Sequence, residues 1–66
     1  MNLTVNGEAR TLPEGTSVAS LLENLGIKAG RVAVEVNMYI VPKASYVDRT
    51  LQDGDRIEVV HFVGGG

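Results

Sequence analysis

Only one stretch of this 66-residue chain has apolar residues at helical spacing, and segments in which they alternate flank it on both sides. In "TSVASLLENLG", Val18, Leu21, Leu22 and Leu25 fall on one helical face. Such a stripe has to be buried, and with no second helix available the surface that covers it must be a sheet. Ser17 or Thr16 stands where the N-cap belongs, and Gly26 where a left-handed C-cap belongs. Ser20 occupies the place where a capping box would want Glu, so the helix start is capped once at best.

The flanking segments read as strands. "LTVNGEARTL" turns at Asn6-Gly7, a pair that accepts the positive φ of a type I′ hairpin, with Leu3 and Val5 facing one way and Asn2 and Thr4 the other. Pro13 and Gly15 then break the sheet. "RVAVEVN" points Val32, Val34 and Val36 to one side. "MYIVPKASYVDRT" is irregular, with a bend at Pro42 and a single helical turn over 43–46. "LQDGDRIEVVHFV" gives a tight turn at Asp53-Gly54-Asp55 and a final strand. The order β-β-α-β-β defines an α+β chain, a β-grasp (ubiquitin-like) roll whose mixed sheet packs on one main helix. Its expected core is Leu3, Val5, Val18, Leu21, Leu22, Val32, Val34, Val36, Leu51, Ile57 and Val59. Residues 1–63 form the domain, and residues 64–66 a flexible glycine tail.

Charge and composition exclude several roles. A net charge of −2 lacks the basic excess of a nucleic-acid or anionic-membrane binder. The absence of cysteine removes disulfides, thiolate metal sites and any thiol chemistry. No signal peptide and no apolar run long enough to cross a bilayer is present, so a cytoplasmic location is expected. A glycine-rich phosphate loop and a Cys–His or Ser–His–Asp set are also missing, so activating chemistry would belong to a partner and not to this chain. The sole histidine, His61, has no further ligands to make a metal site and reads as a packing or solvated residue. Asp53 and Asp55 read as turn formers.

The chain closes with "HFVGGG". Arg56 and Glu58 mark the outer face of the last strand, which puts Val60 and Phe62 on that same face if the strand stays regular. They then form a partner patch; a bulge near His61 would instead turn Phe62 into the core. Glycines lack Cβ, so Gly64, Gly65 and Gly66 can lie in a channel too narrow for other residues and leave a terminal carboxylate open to attack on a phosphorus atom. A linker or tag has the same composition.

Fold and tail together carry a resemblance along nearly the whole chain. The "VNG" hairpin, "TSVASLL", "VAVEVNMYIVP" and above all "LQDGDRIEVVHFVGGG" are similar to the ThiS/MoaD family of ubiquitin-like sulfur carriers, and the short length favours the ThiS branch. The resemblance implies a carrier of thiamin (thiazole) biosynthesis, not an enzyme. In that family a ThiF-like enzyme uses ATP and magnesium to adenylate the terminal carboxylate, here that of Gly66. Sulfur from a cysteine desulfurase or sulfide then forms a thiocarboxylate, and a ThiG-like thiazole synthase receives the sulfur. Val60, Phe62 and Val63 would contact the adenylating partner, and the free protein would be a monomer binding no cofactor of its own. Many members carry only a terminal glycine pair, which makes Gly64 dispensable in this reading. Carriers for molybdopterin, cysteine or tRNA thiolation, TGS-like binding modules and ubiquitin-like conjugation share parts of the pattern.

Overall fold

The computed structural model describes residues 1–62; Val63, Gly64, Gly65 and Gly66, and with them the expected domain–tail boundary, lie outside the described residues. The first hairpin forms where Asn6-Gly7 requires it. Strands β1 (Asn2–Val5) and β2 (Glu8–Thr11) pair antiparallel, and the two turn residues have φ of 50° and 82°, both positive as a type I′ turn demands. Leu3 and Val5 are buried, whereas all of β2 is exposed, so β2 is an edge strand that contributes hydrogen bonds and no core.

The helix, α1 (Val18–Asn24), accounts for its terminal backbone groups with few loose ends. Val18 and Ala19 donate their N–H groups to the carbonyls of Arg49 and Tyr46, each at 2.9 Å. The Ser20 N–H donates to the Ser17 hydroxyl at 3.1 Å, which makes Ser17 the N-cap. Ser20 adds a hydroxyl contact to Ser17 in place of a capping-box carboxylate. At the other end Gly26 adopts φ 71°, Ile27 N–H donates to Leu22 C=O at 2.9 Å and Gly26 N–H to Glu23 C=O at 3.0 Å. That pair of bonds is a Schellman motif, and Ile27 packs against the core just beyond it.

Three further strands complete the sheet: β3 (Val32–Val36), β4 (Tyr39–Val41) and β5 (Arg56–His61), in the spatial order β2-β1-β5-β3-β4. Central β5 runs parallel to β1 and antiparallel to β3, so the sheet is mixed. Every residue of the expected core is buried, joined by Val41 and Tyr46. A single 3-10 turn, Lys43–Ser45 followed by Tyr46, occupies the place expected for a helical turn.

The strand count corrects the β-β-α-β-β order: the described residues form five strands, because 39–41 pair with β3 and do not run as an irregular stretch. The hairpin turn there is Asn37-Met38, with φ of 52° and 74°. Methionine at positive φ gives no sequence signal for a hairpin, since its Cβ crowds the backbone in that region. Met38 is also 87% exposed, so packing does not offset the strain. Met38→Gly is therefore expected to raise stability by about 0.5–1 kcal/mol. A higher urea midpoint at unchanged slope would report the gain, whereas an unchanged midpoint would mean that the turn carries no strain.

Candidate functional site

Strand β5 leads from the acidic turn to the chain's C-terminal residues; two asparagine side chains hold the strand, and two aspartates hold the turn before it. Gly54 takes φ 87° between Asp53, whose carboxylate accepts the Asn2 N–H, and Asp55. Asp55 is buried, and its two carboxylate oxygens accept the Gln52 N–H at 2.8 Å and the Asn37 amide at 2.9 Å. Both aspartates are thus turn formers. The two hairpin asparagines then reach across to β5. The Asn6 side chain accepts from the Val59 N–H at 2.7 Å and donates to the Val59 C=O at 3.2 Å. It continues the β1–β5 ladder after the main chain has turned away. The Asn37 side chain accepts from the Arg56 N–H at 2.9 Å, and the Asn37 backbone N–H donates to the Arg56 C=O at 2.8 Å. Sequence reading identified Asn6 only as a turn residue and missed Asn37. Two asparagines at the open ends of alternating segments were the available signal.

With β5 fixed in this way, its side chains keep strict alternation. Ile57 and Val59 are buried, while Arg56, Glu58 and Val60 are exposed, and Val60 stands opposite Ala33 of β3. His61 still pairs with Val32, so no bulge swaps the faces. His61 is exposed beyond the end of the core. Phe62 is 58% exposed and Val60 53%, which excludes the core reading of Phe62 and puts both residues on the surface as a partner patch requires. The Phe62 N–H donates to Arg31 C=O at 3.0 Å, and the Lys43 ammonium lies 5.3 Å from the ring centre. Val63, Gly64, Gly65 and Gly66 follow outside the described residues.

The rest of the outer sheet face is open. Glu35 and Glu58 stand directly opposite each other on β3 and β5, with Ile40 of β4 across from Glu35. Ion pairs among the described residues join Met1 to Glu14 and Arg10 to Glu8, so neither central glutamate has a cation within the 4.0 Å of an ion pair. Among the described residues no three His, Asp or Glu side chains come together as a metal site, and no helix is long and apolar enough to cross a membrane. What the arrangement can do chemically is present a strand end: a central strand held on both sides, with Val60 and Phe62 exposed at its close.

Comparison with known proteins agrees with this geometry. The ThiS family model matches residues 3–66. A thiazole synthase from Paramagnetospirillum magneticum is 47% identical over all 66 residues, which correspond to 20% of that protein, so the chain spans a fifth of its length. The sulfur carrier protein ThiS of Escherichia coli is 32% identical with both chains fully covered. The crystal structure of the thiamine biosynthesis protein ThiS from Geobacter metallireducens superposes with a TM-score of 0.86 at 39% identity, again with both chains covered completely. The chain belongs to the ThiS family.

Proposed function

We propose that this chain is a sulfur carrier of thiamin biosynthesis and that the carboxylate of Gly66 is the group that carries the sulfur. The observation behind this reading is that the family match extends to residue 66 and so includes the terminal glycines. Coverage of the whole Escherichia coli carrier supports it.

In this account a ThiF-like adenylyltransferase binds ATP and magnesium, and an oxygen of the Gly66 carboxylate attacks the α-phosphorus, releasing pyrophosphate. Sulfide, or the terminal sulfur of a cysteine desulfurase persulfide, then attacks the acyl carbon. AMP leaves with the former carboxylate oxygen. With sulfide the product is the thiocarboxylate directly; with a persulfide, a thiol must first cleave the acyl disulfide. A ThiG-like thiazole synthase accepts the sulfur, a pairing supported by thiazole synthases that contain a region similar to this chain. All bond-making groups other than the carboxylate come from partners, so the chain acts as a co-substrate and not as an enzyme. Gly64 and Gly65 keep the tail thin, and Val60, Phe62 and Val63 form the contact for the adenylating enzyme.

Phe62→Ala tests that contact. Because the ring is exposed, stability should change by less than about 1 kcal/mol, while truncation of an aromatic anchor should raise KM for adenylation roughly tenfold or more. ATP–pyrophosphate exchange by the ThiF-like enzyme, stimulated by this chain, is the assay. Absence of stimulation by the wild-type chain, with an enzyme active on another carrier, would refute the adenylation step.

A further inference from the structure

The end of β5 is locally basic in a chain whose net charge is −2. Lys28, Arg31 and Lys43, half of its six lysines and arginines, gather where β5 ends. Lys28 and Arg31 line a groove of about 370 Å³ together with Gly26, Ile27, His61 and Phe62. The Lys43 ammonium lies over the Phe62 ring, 5.3 Å from its centre, and 3.4 Å from the Gly30 carbonyl. None of the three cations has a carboxylate partner among the described residues. Six of the eight acidic side chains sit elsewhere: Glu8 and Glu14 in ion pairs, Glu35 and Glu58 on the open sheet face, and Asp53 and Asp55 in the turn before β5; Glu23 lies in the last turn of α1 and Asp48 just past the Lys43–Ser45 turn, neither in an ion pair among the described residues. The surface where β5 ends thus carries three cations around one exposed aromatic ring.

We propose that this basic crescent is a docking surface for an acidic rim on the adenylating partner, around the mouth of the channel that the tail enters. The proposal rests on the adenylation reading above and assigns the charges that orient the encounter. A tail bound for the phosphates of ATP cannot be steered by its own carboxylate, because that charge must finish beside other negative charges. Steering has to come from groups at the tail root, which stay at the mouth. Two lysines and an arginine around an exposed aromatic ring, none in an ion pair among the described residues, supply it, and acidic groups on the partner are their complement.

The test is association of the full chain with its ThiF-like enzyme, followed by stopped flow, for wild type and the double variant Lys28→Glu/Arg31→Glu. Both side chains are exposed, and matching urea midpoints establish that the variant folds. At low salt the association rate should fall by about tenfold or more, and the difference should shrink at about 1 M salt, where the Debye length is near 3 Å. The adenylation rate at saturation should be unchanged. Arg10→Glu, on edge strand β2, should associate at the wild-type rate. Equal rates and equal salt dependence for wild type and double variant would overturn the inference while leaving adenylation intact. A loss seen only with the thiazole synthase would also overturn it, because the occupant would be wrong. Failure of the wild-type chain to be adenylated would remove the functional reading and this inference with it.

Discussion

Leu21→Ala is expected to destabilise the fold by about 3–5 kcal/mol. Leu21 is 1% exposed at the centre of the one helix, against the inner faces of β1, β3 and β5. The described residues contain no second α-helix that could move in to fill the space, so the cavity term should stay close to its full value. A domain of this length has only about 3–10 kcal/mol to lose, at roughly 0.05–0.15 kcal/mol per residue. Much of the variant should therefore be unfolded at 25 °C, and urea titration followed by far-UV circular dichroism measures how much. A cost below about 1 kcal/mol would mean that the helix is not the lid of a single core.

The second large effect concerns the reach of the tail. Removing Gly66 leaves a glycine at the tip, so the chemistry of the terminal group is unchanged. The carboxylate, however, retreats by about 3.3–3.6 Å along an extended chain. Misplacing a reacting group by even about 1 Å can cost a hundredfold in rate. Sulfur loading of the shortened chain should fall by at least that factor. Gly64→Ala keeps the length and should still load, since the third glycine is dispensable in the proposed account. If the shortened chain loads at the wild-type rate, Gly66 does not carry the sulfur; if Gly64→Ala blocks loading, all three glycines must pass the narrow channel.

Most of the fold is legible in the sequence because it follows from periodicity. Val18, Leu21 and Leu22 at helical spacing, and Val32, Val34 and Val36 at alternate positions, leave one way to bury both sets. Asn6-Gly7 and Gly26 mark a hairpin and a helix end through backbone freedom, and both adopt positive φ. Strand β4 escapes the same reading because its turn has Met38 where glycine would announce a hairpin, and because Tyr39 and Ile40 are exposed. The anchoring of β5 is also invisible in sequence. Asn6 and Val59 lie 53 positions apart, and only the parallel β1–β5 pairing brings them together. The outward face of Val60 follows from parity alone, since Arg56 and Glu58 set the phase of the strand, whereas Phe62 lies past the end of β5 and its exposure is settled only by the fold. The basic crescent has no such rule, because Lys43 comes from a different segment than Lys28 and Arg31, which share one turn, and the two segments meet only in the folded chain.

The most direct measurement is the intact mass of the full chain after incubation with a ThiF-like enzyme, magnesium-ATP and sulfide. The account predicts a gain equal to one oxygen replaced by one sulfur, which fragmentation should place on Gly66. An unchanged mass, with an enzyme that loads another carrier in the same mixture, would contradict it.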